Sequence, residues 1–358
     1  MADAPGLGWP ERSAGDVLAE PGGGVGWPVS RETNSENAVM SLAVDGAAVL
    51  VTENPLAAAP DVAVVAGGDG AGRARGAETD PVPVGSHSLS EWPRPASCRL
   101  ITIANQKGGV GKTTTAVNLA AGLARHGARV LVIDLDPQGN ASTALSVDHH
   151  AGVPSIYNVL VDDLPLASII RQAEEVSGLY CAPATIDLAG AEIELVPMVA
   201  RETRLSRALA GYDRSDLDYI FVDCPPSLGL LTVNALVAAA EVLIPIQCEY
   251  YALEGLEQLL RSVDLVRDHL NPRLSLSTIL LTMYDARTRL AAQVAEDVRA
   301  HFGDMVLGAV IPRSVRVSEA PSYGQSVLSY DPSSSGALAY LEAAKELALR
   351  SLPSAAAG

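Results

Sequence analysis

Lysine, aromatic residues, cysteine and long apolar runs are all scarce in this chain of 358 residues. Only three lysines occur (Lys107, Lys112 and Lys345), and acids outnumber basic residues to give a formal net charge of −17. That balance excludes a generic basic coat for nucleic acid. No uninterrupted apolar run reaches the roughly 18–20 residues of a membrane-spanning helix, and the first residues lack the basic region of a secretory signal. The four cysteines show no C-x-x-C spacing, which predicts reduced thiols and a cytoplasmic location.

The first part of the chain, residues 1–97, differs in composition from the rest. Gly and Pro make up about a quarter of it, acids outnumber arginines, and lysine is missing. Such a segment buries too little apolar surface to offset its chain entropy, so we predict a disordered extension. A Gly-x-Gly-Trp-Pro motif occurs at 6–10 and again at 24–28, and Trp92 also precedes a proline. These tryptophans are either anchors for a further partner or compositional drift, and the sequence leaves both open.

From residue 98 onward, apolar runs typical of buried strands alternate with helical patterns. Strands are expected at 99–105, 129–135, 219–222, 242–246, 277–282 and 305–311, and helices at 113–126, 252–269 and 289–301. This alternation predicts an α/β fold, with a mostly parallel twisted sheet flanked by helices. We therefore expect one domain over residues 98–358.

A glycine-rich loop joins the first expected strand to the first expected helix. It reads Gln-Lys-Gly-Gly-Val-Gly-Lys-Thr-Thr over 106–114. Glycines let backbone N–H groups surround a phosphate, and the helix N-terminus adds a partial positive charge. Lys112 would reach the β and γ phosphates, and Thr113 would offer its hydroxyl to Mg²⁺. The usual G-x-x-x-x-G-K-[ST] pattern fails at Gln106, and a lysine at the start of the loop distinguishes this version.

Acidic residues follow two of the expected strands. Asp134 and Asp136 follow the strand at 129–135, and Asp223 ends the strand at 219–222. Ligands of α/β folds bind at the carboxyl edge of the sheet, where these residues would lie. Asp223 at the end of its strand suits holding a magnesium-bound water, and the pattern predicts a functional role for all three acids behind the phosphate loop.

The motifs of the second segment resemble those of the ParA/Soj family of deviant Walker A ATPases, which move chromosomes and plasmids. They read NQKGGVGKTTTAVNLA at 105–120, DLDPQGNAS at 134–142, AGAEIELV at 189–196, DYIFVDCPPS at 218–227, LLTMYDAR at 280–287 and IPRSVRVSEAPSYG at 311–324. The match runs in order over nearly all of residues 99–350 and does not include 1–97. It implies a P-loop NTPase fold, ATP and Mg²⁺ as cofactors, and hydrolysis of ATP to ADP and phosphate.

The resemblance also implies a role for particular residues. Lys107 would be the signature lysine that crosses an ATP sandwich dimer to the other subunit's nucleotide, and Gly108 would lie where the two loops meet. Asp136 would position the attacking water, so that the catalytic set is Lys107, Lys112 and Asp136. The metal set would be Thr113, Asp134 and Asp223. The nucleotide would contact Lys107, Gly108, Gly109, Val110, Gly111, Lys112, Thr113, Thr114, Pro312, Arg313 and Ser314.

DNA binding is a further implication. Arginines outnumber acids between residues 271 and 317, although the chain as a whole is acidic. Arg287 and Arg316 match positions at which the family contacts DNA. We expect an ATP-paired dimer to gather enough arginines for non-specific double-stranded DNA, and a ParB-like partner to stimulate hydrolysis. The protein would then be associated with the nucleoid.

Three alternatives give different functions. A MinD-like membrane ATPase would need a basic amphipathic C-terminal helix, which residues 337–352 do not supply. A reductase that resembles the nitrogenase iron protein would need cysteines that bridge a cluster, and none pair recognisably. A ParA-like ATPase that positions a protein cargo would keep the same motifs. The sequence therefore leaves chromosome, plasmid and protein cargo open.

Overall fold

The computed structural model of the chain describes residues 92–249 and 252–350. Its centre is an eight-stranded sheet with the order β3-β4-β2-β5-β1-β6-β7-β8. Every pair of neighbouring strands is parallel except β3 and β4. The strands are β1 (Arg99–Ile103), β2 (Val130–Asp134), β3 (Arg171–Gln172), β4 (Leu179–Ala182), β5 (Tyr219–Asp223), β6 (Glu241–Gln247), β7 (Ser275–Tyr284) and β8 (Val306–Pro312).

Helices connect the strands. They are α1 (Lys112–Arg125), α2 (Asn140–Ala144), α3 (Ile156–Val161), α4 (Leu188–Leu195), α5 (Arg204–Ala210), α6 (Leu230–Ala238), α7 (Ala252–His269), α8 (Arg289–Phe302), α9 (Val315–Glu319), α10 (Val327–Tyr330) and α11 (Ser335–Leu349). Parallel strands need such crossovers, because each chain segment must return to the amino edge of the sheet.

The core lies on both faces of the central strands. All five residues of β1, of β2 and of β5 are buried, which explains why these strands are continuous apolar runs. The C-terminal helix α11 packs on α1, and a Cβ added at Gly122 would come within 2.9 Å of the Ala344 Cβ. Glycine at this position therefore permits the close approach of the two helices.

A buried ion pair fixes the amino edge of the sheet. Arg99 Nη2 lies 2.7 Å from Glu241 Oε2, and both side chains are almost fully buried. Arg99 Nη1 also donates to the backbone oxygen of Leu347, 2.9 Å away. The pair therefore joins β1, β6 and the end of α11.

The predicted α/β alternation is confirmed, and the helix ends differ from the expected ones by a residue at most. The pattern missed β3 and β4, because β3 has only two residues and both are exposed. No helix within the described ranges is long and apolar enough to cross a membrane. All four cysteines are free thiols, at positions 98, 181, 224 and 248.

The expected boundary at residue 97 falls inside a segment that packs on the domain. The Trp92 ring stacks on His126 with 3.6 Å between ring centroids, and the Trp92 N–H donates to the His126 carbonyl oxygen at 3.4 Å. The sequence left Trp92 as a possible anchor for a partner. In the structure it packs on its own domain instead. The predicted disorder of the extension and both Gly-x-Gly-Trp-Pro motifs lie outside the described residues.

Candidate nucleotide-binding site

The glycine-rich loop connects the end of β1 to the start of α1, at the carboxyl edge of the sheet. Gly109 and Gly111 adopt left-handed conformations, with φ of 72° and 89°, which only glycine enters without strain. Thr282 Oγ1 on β7 donates to the Val110 carbonyl oxygen at 2.9 Å. The Lys107 N–H donates to Asn105 Oδ1 at 3.0 Å, so both halves of the loop are fixed.

Lys112 is the first residue of α1, and its side chain folds back over the loop. Its Nζ lies 3.3 Å from the Lys107 carbonyl oxygen and donates to it. Burial lowers the pKa of Lys112 from its ordinary value, and Asp223 opposes that shift. A buried ammonium held above a glycine loop is suited to neutralise phosphate charge. Thr113 and Thr114 follow directly at the start of α1, next to the loop.

Lys107 points to a different partner. Its Nζ lies 3.1 Å from Glu249 Oε2, and about a third of its side chain is exposed. Glu249 also accepts from Arg313 Nη2, 3.3 Å from Oε1. Glu249 is not predicted from the sequence, because an acid two residues past a strand carries no signal that is readable without the tertiary structure.

The two aspartates at the ends of β2 and β5 lie side by side, since Asp134 and Asp223 are register partners. Both are fully buried. Asp134 accepts hydrogen bonds from the Asp136 N–H, the Ser142 N–H and the Ser142 hydroxyl, at 3.1, 2.9 and 2.7 Å. Neither carboxylate oxygen of Asp223 has a partner within hydrogen-bond distance in the described part of the chain, although the Thr113 side chain lies near enough to act to lower the pKa of Asp223.

This pair of acids fits a magnesium site. Burial raises the pKa of Asp134 to about 6 and raises that of Asp223 well above its usual range; the charge of Asp134 adds to the shift of Asp223, and that of Asp136 adds to the shift of Asp134. Two adjacent buried carboxyls that lack a cation are costly, so a divalent ion would relieve both. Thr113 lies at the same edge, at the start of α1. Ser142, missed by the sequence analysis, orients the Asp134 carboxylate.

Asp136 lies two residues beyond β2 and is 8% exposed. Its Oδ1 accepts from the Gln138 N–H at 3.0 Å, and its carbonyl oxygen accepts from the Gly139 N–H at 2.9 Å. Oδ2 has no hydrogen-bond partner among the described residues. This geometry leaves one carboxylate oxygen of Asp136 available to a water molecule.

Pro312, Arg313 and Ser314 line a cavity of about 150 Å³ next to the loop. The cavity also contacts Gly111 and Met283, and Met283 has a φ of 50°. A positive φ is strained for a residue with an unbranched side chain, and such strain concentrates at functional sites. The structure thus brings the three expected base-contacting residues beside the phosphate loop, together with a methionine that the sequence did not point to.

The two arginines expected to contact DNA lie outside this site, on the surface. Arg287 binds Asp285 through two contacts, Nε to Oδ1 at 2.9 Å and Nη2 to Oδ2 at 2.7 Å. The Arg316 guanidinium contacts Glu319 at 3.1 Å and Asp331 at 3.4 Å. Both cations are therefore neutralised locally within one chain.

Known proteins match the chain over most of its length. Residues 98–276 match a family model described as an AAA domain. The chain is 57% identical over 250 residues to the sporulation initiation inhibitor protein Soj of Bacillus subtilis. The matched region covers 70% of this chain and 98% of that protein. It is 52% identical over 253 residues to the chromosome partitioning protein ParA of Caulobacter vibrioides, with 70% and 94% covered.

Solved structures share the fold. Cobyrinic acid a,c-diamide synthase from Mycobacterium smegmatis, solved with a bound ATP analogue and magnesium, is 41% identical with a TM-score of 0.60, covering 70% of this chain and 94% of that one. The septum site-determining protein MinD from Pyrococcus horikoshii, complexed with Mg-ADP, is 27% identical with a TM-score of 0.57, covering 70% and 96%. The glycine loop, the buried lysine and the orphaned aspartate of this chain suit the same ligands. The chain therefore belongs to the ParA/Soj family of chromosome-partitioning ATPases, and its cofactors are ATP and Mg²⁺.

Proposed function

We propose that this chain is an ATP-driven switch for DNA partitioning. ATP binding pairs two copies, the pair binds DNA without sequence preference, and hydrolysis stimulated by a ParB-like partner releases it. One observation carries the proposal: Lys112 turns inward over the loop, whereas Lys107, five residues earlier, lies at the surface and is held by an exposed acid. Two lysines in one loop are then suited to two nucleotides, one in each copy.

Within one copy, each residue has a separate task. The N–H groups of the loop from Gly108 to Thr114 surround the phosphates, and Lys112 neutralises their charge. Asp134, Asp223 and Thr113 hold the magnesium, which supplies charge stabilisation at the phosphates when bound. Asp136 orients the attacking water through its free carboxylate oxygen. Pro312, Arg313 and Ser314 contact the base.

Pairing of two copies depends on Lys107 and Gly108. A Cβ built on Gly108 meets no atom within 4 Å, and the backbone there is not left-handed. The fold of one copy therefore does not require glycine at 108. Close contact with the loop of a second copy would require it, and that supports a dimer in which Lys107 reaches across.

DNA binding follows from pairing. Arg287 and Arg316 are exposed but neutralised by acids in one copy, and the described domain lies in a chain of net charge −17. One copy therefore attracts phosphates weakly. Two copies in a dimer present their arginines together, and the second set binds at a high effective concentration. This would place the ATP-bound protein on the nucleoid of the cytoplasm.

The domain organisation belongs to the same proposal. The ATPase domain includes the segment from Trp92 onward, which packs on His126, and the acidic residues before it form an extension that is available to a further partner. A membrane role is less well supported, because α11 buries Ala337, Tyr340 and Leu347 in the domain core. Whether the cargo is a chromosome, a plasmid or a protein cluster depends on the partner that the chain binds.

The test uses two variants that separate the steps. Lys112→Ala should abolish ATP binding, and Asp136→Ala should bind ATP but stay as a dimer on DNA, because it lacks the group that orients the water. Sedimentation with ATP, Mg²⁺ and a random 60-base-pair duplex measures both steps. Normal hydrolysis by Asp136→Ala, or ATP binding by Lys112→Ala, would contradict the assignment.

A third variant tests the DNA surface. Arg316→Glu should bind DNA more weakly, and its DNA affinity should depend less steeply on salt concentration. Its ATP-dependent dimerisation should be unchanged. Arg261→Glu on α7 is the matched control, since Arg261 is also an exposed arginine paired with an acid. Equal loss of DNA binding in both variants would show a general charge effect, and would not support a contact at Arg316.

A further inference from the structure

Glu249 receives three donors at the edge of the nucleotide site. Lys107 Nζ lies 3.1 Å from Oε2, Arg313 Nη2 lies 3.3 Å from Oε1, and Gln247 Nε2 lies 2.5 Å from Oε1. Gln247 is the last residue of β6 and is buried, so one side of the carboxylate is anchored to the sheet. The carboxylate is thus fixed between two cations that come from distant parts of the chain.

The two cations have different tasks in the proposed function. Lys107 begins the phosphate loop, and Arg313 belongs to the segment that lines the base cavity. Without Glu249, nothing in the described residues would neutralise the Lys107 ammonium, because Glu249 is the one acid among them that forms an ion pair with it. Glu249 is therefore the group that determines where the Lys107 side chain points in a single copy.

We propose that Glu249 is a positioning residue that holds Lys107 within its own copy until a second copy arrives. The inference rests on the proposed ATP-dependent dimer. In the proposed dimer, the Lys107 ammonium leaves Glu249 of its own copy to reach the nucleotide of the second copy. The Lys107–Glu249 contact therefore competes with pairing and raises the ATP concentration at which two copies associate.

The contact is suited to a reversible role. The Lys107 side chain is 37% exposed and that of Glu249 is 45% exposed, so water replaces the lost ion pair on both groups. Arg313 adds a link to the base cavity, because any movement of Arg313 toward a bound base takes one cation away from the carboxylate. When nucleotide is bound, Glu249 would then be paired with Lys107 alone and no longer with Arg313.

The main experiment compares Glu249→Gln with the full-length wild-type chain. The substitution keeps the size of the side chain and removes its charge. Dimerisation is measured by sedimentation with Mg²⁺ and a non-hydrolysable ATP analogue. We expect the dimer dissociation constant to fall about two- to fivefold, the range that an exposed ion pair supplies. The affinity of a single copy for the analogue is measured separately, because Arg313 at the base cavity loses the same acid partner. Glu249→Asp, which keeps the charge, should remain near the wild type.

Two controls separate this role from a general effect of charge. Glu257→Gln removes one charge from another exposed acid–arginine pair, with Arg261 on α7, and should change nothing. In a Lys107→Ala background, which should not pair, Glu249→Gln should not restore dimerisation, because the lysine that it releases is missing.

A spectroscopic measurement tests the single copy directly. The chain has only three lysines, so the ¹³C resonances of reductively methylated lysines can be assigned by substitution. Glu249→Gln should shift the resonance of Lys107 in the nucleotide-free protein and leave that of Lys345 in place.

Loss of dimerisation in Lys107→Ala would show that the proposed dimer exists. If Glu249→Gln then weakens dimerisation or leaves it unchanged, the inference is overturned. An unmoved Lys107 resonance would overturn it too. If the wild-type chain does not pair with the analogue, or if Lys107→Ala pairs normally, the proposed dimer itself is wrong. That failure is visible without any variant of Glu249.

Discussion

The buried aspartate pair allows a prediction of unusual sign. Asp223→Asn should stabilise the nucleotide-free protein at pH 7.5 although it removes a residue of the site. Asp223 has two buried carboxylate oxygens without a partner, beside the equally buried Asp134. An amide at 223 carries no charge, and its N–H groups can donate to Asp134. The substitution therefore removes the charge repulsion between residues 223 and 134 and gives the Asp134 carboxylate a further hydrogen-bond donor.

The direction of the effect follows from the pKa of Asp223. Burial, and after it the neighbouring Asp134, raise this pKa well above its ordinary value, so the ionised carboxylate is disfavoured in the folded protein. A buried polar group left without a partner costs about 1–3 kcal/mol, and for a domain of this size each kcal/mol shifts the melting temperature by roughly 2–4 °C. We therefore expect the melting temperature of Asp223→Asn to rise by at least about 2 °C.

The same pair gives the wild type a characteristic pH profile. Between about pH 4 and pH 6 the folded protein keeps a proton on the pair that the unfolded chain has already released. The contribution of Asp134 is thus fully present below about pH 4 and is lost as the pH rises through about 6, and that of Asp223 is lost as the pH rises through its own raised pKa. Asp223→Asn should remove the second loss and keep the first, because the burial that shifts the pKa of Asp134 remains.

Thermal unfolding with and without Mg²⁺ and ATP is the assay. The wild type should gain stability from the two ligands together, and Asp223→Asn should gain much less, because a metal ligand is missing. Asp304→Asn, at an exposed position, should change stability by no more than about 0.5 kcal/mol. A nucleotide-free Asp223→Asn protein that melts below the wild type would refute the reasoning, since it would show that the carboxylate already has a favourable partner.

Three further predictions concern the loop, the metal and the extension. Gly108→Ala should bind ATP with normal affinity but fail to dimerise in sedimentation, and normal dimers would refute a close contact at 108. Ser142→Ala should weaken Mg²⁺ binding about tenfold by calorimetry, since a buried hydrogen bond orients a metal ligand, and an unchanged affinity would remove Ser142 from that role. A chain that begins at Trp92 should keep full ATPase activity and stability. A chain that begins at Cys98 loses the stack on His126 and should be about 1–2 kcal/mol less stable. Equal melting temperatures for the two chains would contradict this prediction.

The loop and its acids were predictable because their signals are local. A strand, a glycine loop and a helix follow one another in sequence, and Asp134 and Asp223 each end an apolar run. The adjacency of these two acids follows from the parallel order of β2 and β5, which the fold class already implies.

Other parts of the site depend on contacts that no local pattern encodes. Ser142 reaches Asp134 because α2 turns back over the end of β2. Glu249 lies between Lys107 and Arg313 only after β6 is placed beside β1 and the segment after β8 returns to the loop. Sequence spacing alone therefore selects the ligands of the phosphates and metal but not the residues that orient them.

The stack of Trp92 on His126 also determines where the rest of the chain is attached. α1 begins at the phosphate loop and runs for 14 residues to Arg125, just before His126, a length of about 21 Å. Residues that precede Trp92 are consequently tethered at the far end of that helix from the phosphate loop. The stack therefore fixes the start of the described chain at the amino edge of the sheet, about the length of α1 away from the loop that receives the nucleotide.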